Sequence, residues 1–105
     1  MRKLIFISLI LSVASQYAVA EDMQATVEEY RCGYCHKVDS YYHAPSFKDI
    51  AMRYASDKER MLKVLPSKII HGGAGNWGVV PMVTNHMVSP SKAREMAEWI
   101  LDLKK

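Results

Sequence analysis

Two cysteines separated by two residues and followed at once by histidine constrain this 105-residue chain more than any other feature. The segment reads Cys32-Gly33-Tyr34-Cys35-His36. In this pattern each thiol can add across one vinyl group of a haem, and the histidine then lies under the iron as an axial ligand. The pattern therefore predicts one haem c attached at Cys32 and Cys35, with His36 as an iron ligand. A redox-active disulfide and half of a zinc site are other interpretations of the same five residues.

The first 20 residues have the pattern of a secretory signal peptide. Arg2 and Lys3 precede an apolar stretch from Leu4 to Val13, and Ala18-Val19-Ala20 is a small-x-small cleavage site. The apolar stretch is well short of the about 20 residues that a membrane-spanning helix needs. We therefore expect cleavage after Ala20 and a mature protein of residues 21–105, which forms a single periplasmic domain without stable membrane association.

Charge and size limit the partners and the core that the mature chain can have. Loss of Arg2 and Lys3 leaves 12 basic and 11 acidic side chains, and no basic stripe is present, so we expect no nucleic-acid partner. A chain of this length buries only about 60% of its unfolded surface, which gives a marginal core unless something supplements it. A haem would supply a large, flat apolar surface for packing.

Helical spacing of apolar residues predicts an all-α fold of about four helices. Each of these helices is expected to follow a residue of the N-cap type, namely Asp22, Ser46, Asp57 and Ser89. Pro66 is expected to kink or divide the third helix, and Gly72 to end it. The last helix, with Pro90 in its first position, is expected to pack across the first helix. Ordinary core packing is expected for four residues on helical stripes: Met52, Met61, Met96 and Trp99.

A glycine-rich segment from Gly75 to Met82 separates the third helix from the last. It contains Pro81 and cannot continue a helix, so we expect an extended loop that positions a ligand. The Met82 thioether is a soft donor that favours ferrous iron, and with His36 it would close the coordination sphere, as suits electron transfer. His86 and Met87 are possible competitors for the iron. His43, His71 and His86 are expected to be exposed turn residues.

The chain resembles a small bacterial class I cytochrome c, and most closely the cytochrome c-551 (c8) group. The resemblance covers essentially the whole mature chain. It departs from the family at Ala44, where the family has glycine, at Pro66, and in the loop after Met82, which lacks the usual prolines. Beyond the five-residue motif, the matching residues are Asp39, Pro45, Phe47-Lys48-Asp49, Lys68-Ile69, Gly72, Gly75, Trp77-Gly78, Pro81-Met82, Asn85, Val88-Ser89 and Ala97-Glu98-Trp99-Ile100-Leu101.

This resemblance implies a compact class I cytochrome c fold, with about four helices wrapped around one covalently attached haem. It implies that Pro45 offers its carbonyl to His36, and that Trp77 and Lys68 bind a haem propionate. The spacing from Trp77 to Pro81-Met82 also fits the family, which favours Met82 as the sixth ligand.

The function implied by the resemblance is one-electron transfer between respiratory redox partners, with no enzymatic activity. The expected partners are an oxidase, a reductase or a peroxidase that contacts the protein transiently, and the protein itself is expected to be a monomer. We expect docking through a small apolar patch of Gly33, Tyr34, Val79, Val80 and Val83. Two other functions remain open: a gas-sensing or peroxidatic haem protein with a labile sixth ligand, and a thiol-disulfide oxidoreductase.

Overall fold

The computed structural model describes residues 22–104, so the predicted signal peptide and its cleavage site lie outside the described residues. Within residues 22–104, no helix combines the length and the apolar character that spanning a membrane requires. The described part is mostly helical. Its elements are α1 (Met23–Glu29), α2 (Phe47–Tyr54), α3 (Lys58–His71), β1 (Gly73–Gly75), β2 (Gly78–Met82) and α4 (Pro90–Leu101), with 3-10 turns at Cys32–Tyr34 and Ala55–Asp57.

Side-chain caps begin three of the four helices at the residues that the sequence predicts. Asp22, Ser46 and Ser89 each accept hydrogen bonds of 3.0–3.3 Å from backbone N–H groups in the first helical turn. These bonds satisfy donors that a helix start otherwise leaves without a partner. Asp57 also precedes its helix, but its side chain makes no capping bond and pairs with Arg60 instead.

Pro66 was expected to kink or divide the third helix, and it does not divide it. The α3 helix runs over Lys58–His71 with Pro66 inside it. Proline removes the donor that would otherwise bond to the carbonyl of Leu62, but the loss of one bond does not end a helix that packs along α4. Gly72 ends α3 as predicted, and its N–H donates to the carbonyl of Lys68 at 2.8 Å.

The segment predicted as an extended loop is an antiparallel hairpin of β1 and β2, which corrects the sequence interpretation. Gly73 pairs with Met82 and Gly75 with Gly78, with an irregularity between the two pairs. Both strands are short and exposed along their whole length. They therefore lack the alternation of apolar and polar residues by which half-buried strands are recognised. The pairing places Met82 beside the end of α3.

The hydrophobic core lies where α4 packs against α3, α2 and α1, which confirms the predicted contact of the first and last helices. Met61 and Met96 are buried as predicted, and Trp99 is partly buried against the core. Met52 is 50% exposed, so its predicted core position is wrong. The buried stripe of α2 consists of Phe47, Ile50 and Ala51, and the next residue along the helix points about 100° away from Ala51.

Candidate haem site

Both cysteines of the attachment motif belong to the turn that follows α1. The carbonyl of Cys32 accepts hydrogen bonds from the backbone N–H groups of Cys35 at 3.1 Å and His36 at 2.8 Å. Cys32 is partly buried, and burial raises the pKa of its thiol, although a backbone hydrogen bond acts in the opposite direction. Cys35 is exposed. One tight turn therefore gathers the two thiols and the imidazole.

The imidazole of His36 is fixed from two sides. Its Nδ1 lies 2.8 Å from the carbonyl oxygen of Pro45. Because a carbonyl can only accept, Nδ1 carries the proton, and in the neutral ring Nε2 keeps a free lone pair. The Phe47 ring stacks on the imidazole at 5.3 Å between centroids, and Trp99 in turn contacts Phe47 edge-on at 5.6 Å. This arrangement holds Nε2 ready to bind a metal.

The bond between His36 and Pro45 forms although Ala44 replaces the usual glycine. The N–H of Ala44 donates to the carbonyl of Cys35 at 3.1 Å, which brings this loop back to the motif. Within residues 22–104, Arg31 is the only non-glycine residue with a positive φ, so Ala44 adopts an ordinary backbone conformation. The loop therefore does not require glycine at position 44.

An apolar cavity brings together four of the predicted site residues, which are Cys32, His36, Lys68 and Met82. It contains about 590 Å³ of space not filled by atoms, including its open mouth. Most of the remaining lining comes from the core: Val27, Phe47, Ile50, Leu65, Ile69, Asn85, Met96 and Ile100. A nitrogen and a sulfur donor in an apolar cavity, next to two thiols on one turn, fit a covalently attached haem. Cys35, Pro45 and Trp77 do not line the cavity.

Three contacts fix the backbone around Met82. Asn85 lies three residues further on and makes two hydrogen bonds. Its backbone N–H donates to the carbonyl of Ile70 at 2.8 Å, and its side-chain amide donates to the carbonyl of Tyr30 at 3.1 Å. On the other side, the carbonyl of Met82 fits against Gly72. The loop that follows Met82 is thus tied to the ends of both α1 and α3.

The possible competitors for the iron lie outside this cavity. The rings of His86 and His71 contact each other at 6.4 Å between centroids, and the ring of His43 lies 4.0 Å from that of Tyr42. Met87 is 84% exposed. All three histidines are exposed, as the sequence predicts, but His71 is the last residue of α3 and not a turn residue. Met82 is therefore better placed than any of these residues to bind the same iron as His36.

The two predicted propionate-binding residues differ in position. Lys68 lines the cavity, and its Nζ lies close to Gly73. Trp77 is 40% exposed at the turn of the hairpin, with the guanidinium of Arg53 at 4.4 Å from its ring centroid. The contact of Arg53 with Trp77 was not predicted from the sequence. An exposed arginine on a helix carries no pattern that reveals a contact with a turn more than 20 residues further on.

Neither the zinc interpretation nor the disulfide interpretation of the motif gains support. Residues 22–104 contain no group of three His, Cys, Asp or Glu side chains that could hold a metal ion. The motif follows helix α1 and forms a 3-10 turn. Thiol-disulfide oxidoreductases instead place their cysteines near a βαβ unit.

Comparison with known proteins gives relatives that match most of the chain, although no protein-family model matches it. Cytochrome c-551 from Azotobacter vinelandii is 43% identical over 70 residues, which cover 67% of this chain and 83% of the relative. Cytochrome c-552 from Nitrosomonas europaea is 40% identical over 94 residues, or 87% of this chain and 90% of the relative. The crystal structure of wild-type Nitrosomonas europaea cytochrome c552 superposes with a TM-score of 0.72 and 38% identity, covering 77% of this chain and 99% of that one.

The chain therefore belongs to the group of cytochromes c-551 and c-552, and its fold is that of a class I cytochrome c. Proteins of this group carry one covalently attached haem c and transfer electrons. The predicted fold class, the predicted cofactor and the predicted kind of function are confirmed by this membership. It gives no support to a thiol-disulfide oxidoreductase or to a gas-sensing protein.

Proposed function

We propose that the protein is a periplasmic one-electron carrier whose two iron ligands are His36 and Met82. When bound through Cys32 and Cys35, haem c supplies the iron that gains and loses one electron. One observation carries this assignment of ligands. An imidazole with a free Nε2 and a thioether line the same apolar cavity, and no other predicted ligand does so.

The surrounding residues keep both ligands in place. The hydrogen bond from Nδ1 of His36 to the carbonyl of Pro45 orients the imidazole and makes it a stronger donor. Gly72 leaves room for the carbonyl of Met82, and the hydrogen bonds of Asn85 hold the backbone that follows Met82. Two protein ligands in a rigid setting leave no position for oxygen or peroxide to bind. This supports a carrier rather than an enzyme.

Lys68 and Trp77 are the proposed partners of a haem propionate. A carboxylate at the edge of an apolar cavity needs hydrogen-bond donors, and an ammonium or an indole N–H can provide them. Lys68 already lines the cavity. Trp77 lies at the hairpin turn, where its partly exposed ring is held by Arg53.

Redox partners are proposed to dock on the exposed apolar side chains near the motif and the hairpin. Val79 is 93% exposed, and Tyr34, Val80 and Val83 are also well exposed. Electron-transfer encounters use small interfaces, and charges around them affect the association rate more than the affinity. An oxidase, a reductase or a peroxidase would each suit such brief contact by a monomeric carrier. The signal-peptide pattern of residues 1–20 supports a periplasmic location.

Absorption spectra of protein matured in the periplasm test the function. We expect covalent haem that survives denaturing electrophoresis, a ferric sulfur-to-iron band at long wavelength, and a reversible one-electron titration. The reduced protein should not bind carbon monoxide at neutral pH. Rapid carbon monoxide binding by the reduced wild-type protein would instead indicate a labile sixth ligand and a gas-sensing or peroxidatic role.

A further inference from the structure

Arg53, in the last turn of α2, makes several contacts with the turn of the hairpin. Its guanidinium donates a hydrogen bond to the carbonyl of Asn76 at 2.6 Å and lies 4.4 Å from the centroid of the Trp77 ring. Tyr54 adds an edge-on contact with Trp77 at 6.3 Å between centroids, and its own ring lies 5.5 Å from the guanidinium. These four residues are called the Arg53 clasp below.

The Arg53 clasp joins the two elements that fix the proposed ligands. The α2 helix begins at Phe47, whose ring stacks on His36. The hairpin ends at Met82. A contact between the other end of α2 and the hairpin turn therefore links the structure around one ligand to the structure around the other.

The hairpin needs such a contact because it buries little surface of its own. Every residue of β1 and β2 is exposed. A two-stranded hairpin alone is at best marginally stable in water. Contacts with other elements must therefore hold it. The Arg53 clasp acts at the turn, and the hydrogen bonds of Asn85 act just after Met82.

We propose that Arg53 is a positioning residue for Met82. By holding the hairpin turn against α2, it keeps β2 in place and slows the departure of Met82 from the iron. This inference rests on the proposed function, in which Met82 is the sixth ligand. Arginine suits the role because its planar guanidinium can stack on an indole and donate to a carbonyl at the same time, which a lysine ammonium does less well.

The rate at which imidazole binds to the ferric holoprotein tests the proposal. At saturating imidazole, the departure of Met82 limits this rate. We expect Arg53→Met to bind imidazole about threefold to tenfold faster than wild type, since it loses both the stacking and the charge-assisted hydrogen bond. Arg53→Lys keeps the charge but loses the planar stacking, and it should lie between the two.

Arg60→Met is the matched control. Arg60 is also an exposed helical arginine, but it pairs with Asp57 and makes no described contact with the hairpin. We expect it to bind imidazole at the wild-type rate. A second measurement does not involve the iron: amide hydrogen exchange of residues 73–82 in the reduced holoprotein should be faster in Arg53→Met, with α4 unchanged.

Two outcomes would overturn the proposal, and they differ in what else they affect. In the first outcome, wild type shows the sulfur-to-iron band, but Arg53→Met and Arg60→Met bind imidazole at equal rates and show equal amide exchange in residues 73–82. The Arg53 clasp then has no positioning role, and the proposed function stands. If the wild-type ferric protein lacks that band, Met82 is not the ligand, and the proposed ligand set falls together with the role of Arg53.

Discussion

The carbonyl oxygen of Met82 occupies the space that a side chain at Gly72 would need. A Cβ placed on Gly72 would lie 2.1 Å from this oxygen and 2.9 Å from the carbonyl carbon. Gly72 also has φ +67°, a backbone conformation that favours glycine. The residue that ends α3 is thus also the residue that lets the strand carrying Met82 approach the helix.

Replacing Gly72 with alanine should therefore displace Met82. We expect Gly72→Ala to lower the free energy of unfolding by more than about 2 kcal/mol, because a strained φ and a collision with backbone atoms act together. The ferric sulfur-to-iron band should weaken. Urea unfolding of the ferric holoprotein and its absorption spectrum would measure both effects.

Gly75 provides the control for this substitution. It has φ +109°, but a Cβ placed there would meet no atom within 4 Å. Gly75→Ala should therefore cost only about 1 kcal/mol from backbone strain and should keep the band. If the two variants behave alike, the close approach at Gly72 does not position Met82.

Met82→Ala should open the sixth coordination position. The sulfur-to-iron band of the ferric protein should vanish, the reduced protein should bind carbon monoxide, and the reduction potential should fall because a thioether favours ferrous iron. Absorption spectroscopy and redox titration would follow these changes. Met87→Ala serves as the control, because Met87 is 84% exposed, and it should resemble wild type. Retention of the band in Met82→Ala would show that another residue is the ligand.

Asn85→Ala should loosen the loop that follows Met82. The substitution removes the side-chain hydrogen bond to the carbonyl of Tyr30 but keeps the backbone bond to Ile70. We expect a loss of about 1 kcal/mol in urea unfolding, the usual contribution of one such bond. The sulfur-to-iron band should also disappear at a lower temperature than in wild type.

Asn76→Ala is the matched control for Asn85→Ala. Asn76 contacts Arg53 through its backbone carbonyl, which alanine retains. Its substitution should change stability by less than about 0.5 kcal/mol. An equal loss of stability in both variants would mean that the hydrogen bond from the Asn85 amide to Tyr30 does not stabilise the protein.

Pro66→Ala should stabilise the protein. Position 66 lies inside α3, and an alanine N–H there could donate to the carbonyl of Leu62. We expect a gain of about 1 to 2 kcal/mol, because the helical benefit exceeds the extra flexibility of the unfolded chain. Pro90→Ala should give no gain, since Pro90 is the first residue of α4 and its missing donor is not needed there. A loss of stability in Pro66→Ala would show that the proline ring packs favourably.

Local signals in the sequence predicted the helices well because caps and breakers act over a few residues. Asp22, Ser46 and Ser89 accept the predicted hydrogen bonds, and Gly72 ends α3. The division of α3 predicted at Pro66 does not occur, because packing along α4 holds the helix together despite the missing bond. Met52 was misjudged because its neighbour Ala51 faces the core, and the apolar stripe does not extend to the next residue.

The hairpin and its contacts could not be predicted from local patterns. Its strands are held by backbone pairing between exposed residues, which leaves no periodicity in the side chains. The Arg53 contact and the bond from Asn85 to Tyr30 join residues that are 23 and 55 positions apart. For the site itself, the chemistry of the motif predicted that the two thiols and His36 bind haem. That Lys68 and Met82 line the same cavity could be seen only in the folded chain.

The cavity and the hydrophobic core share much of their lining, namely Val27, Phe47, Ile50, Ile69, Met96 and Ile100. Haem binding and folding are therefore expected to be thermodynamically coupled in this chain. Without haem these side chains lose a packing partner, so we expect the immature polypeptide to be less stable and more open to proteolysis. Substitutions that loosen the core are therefore expected to lower the amount of holoprotein in cells as well as its melting temperature.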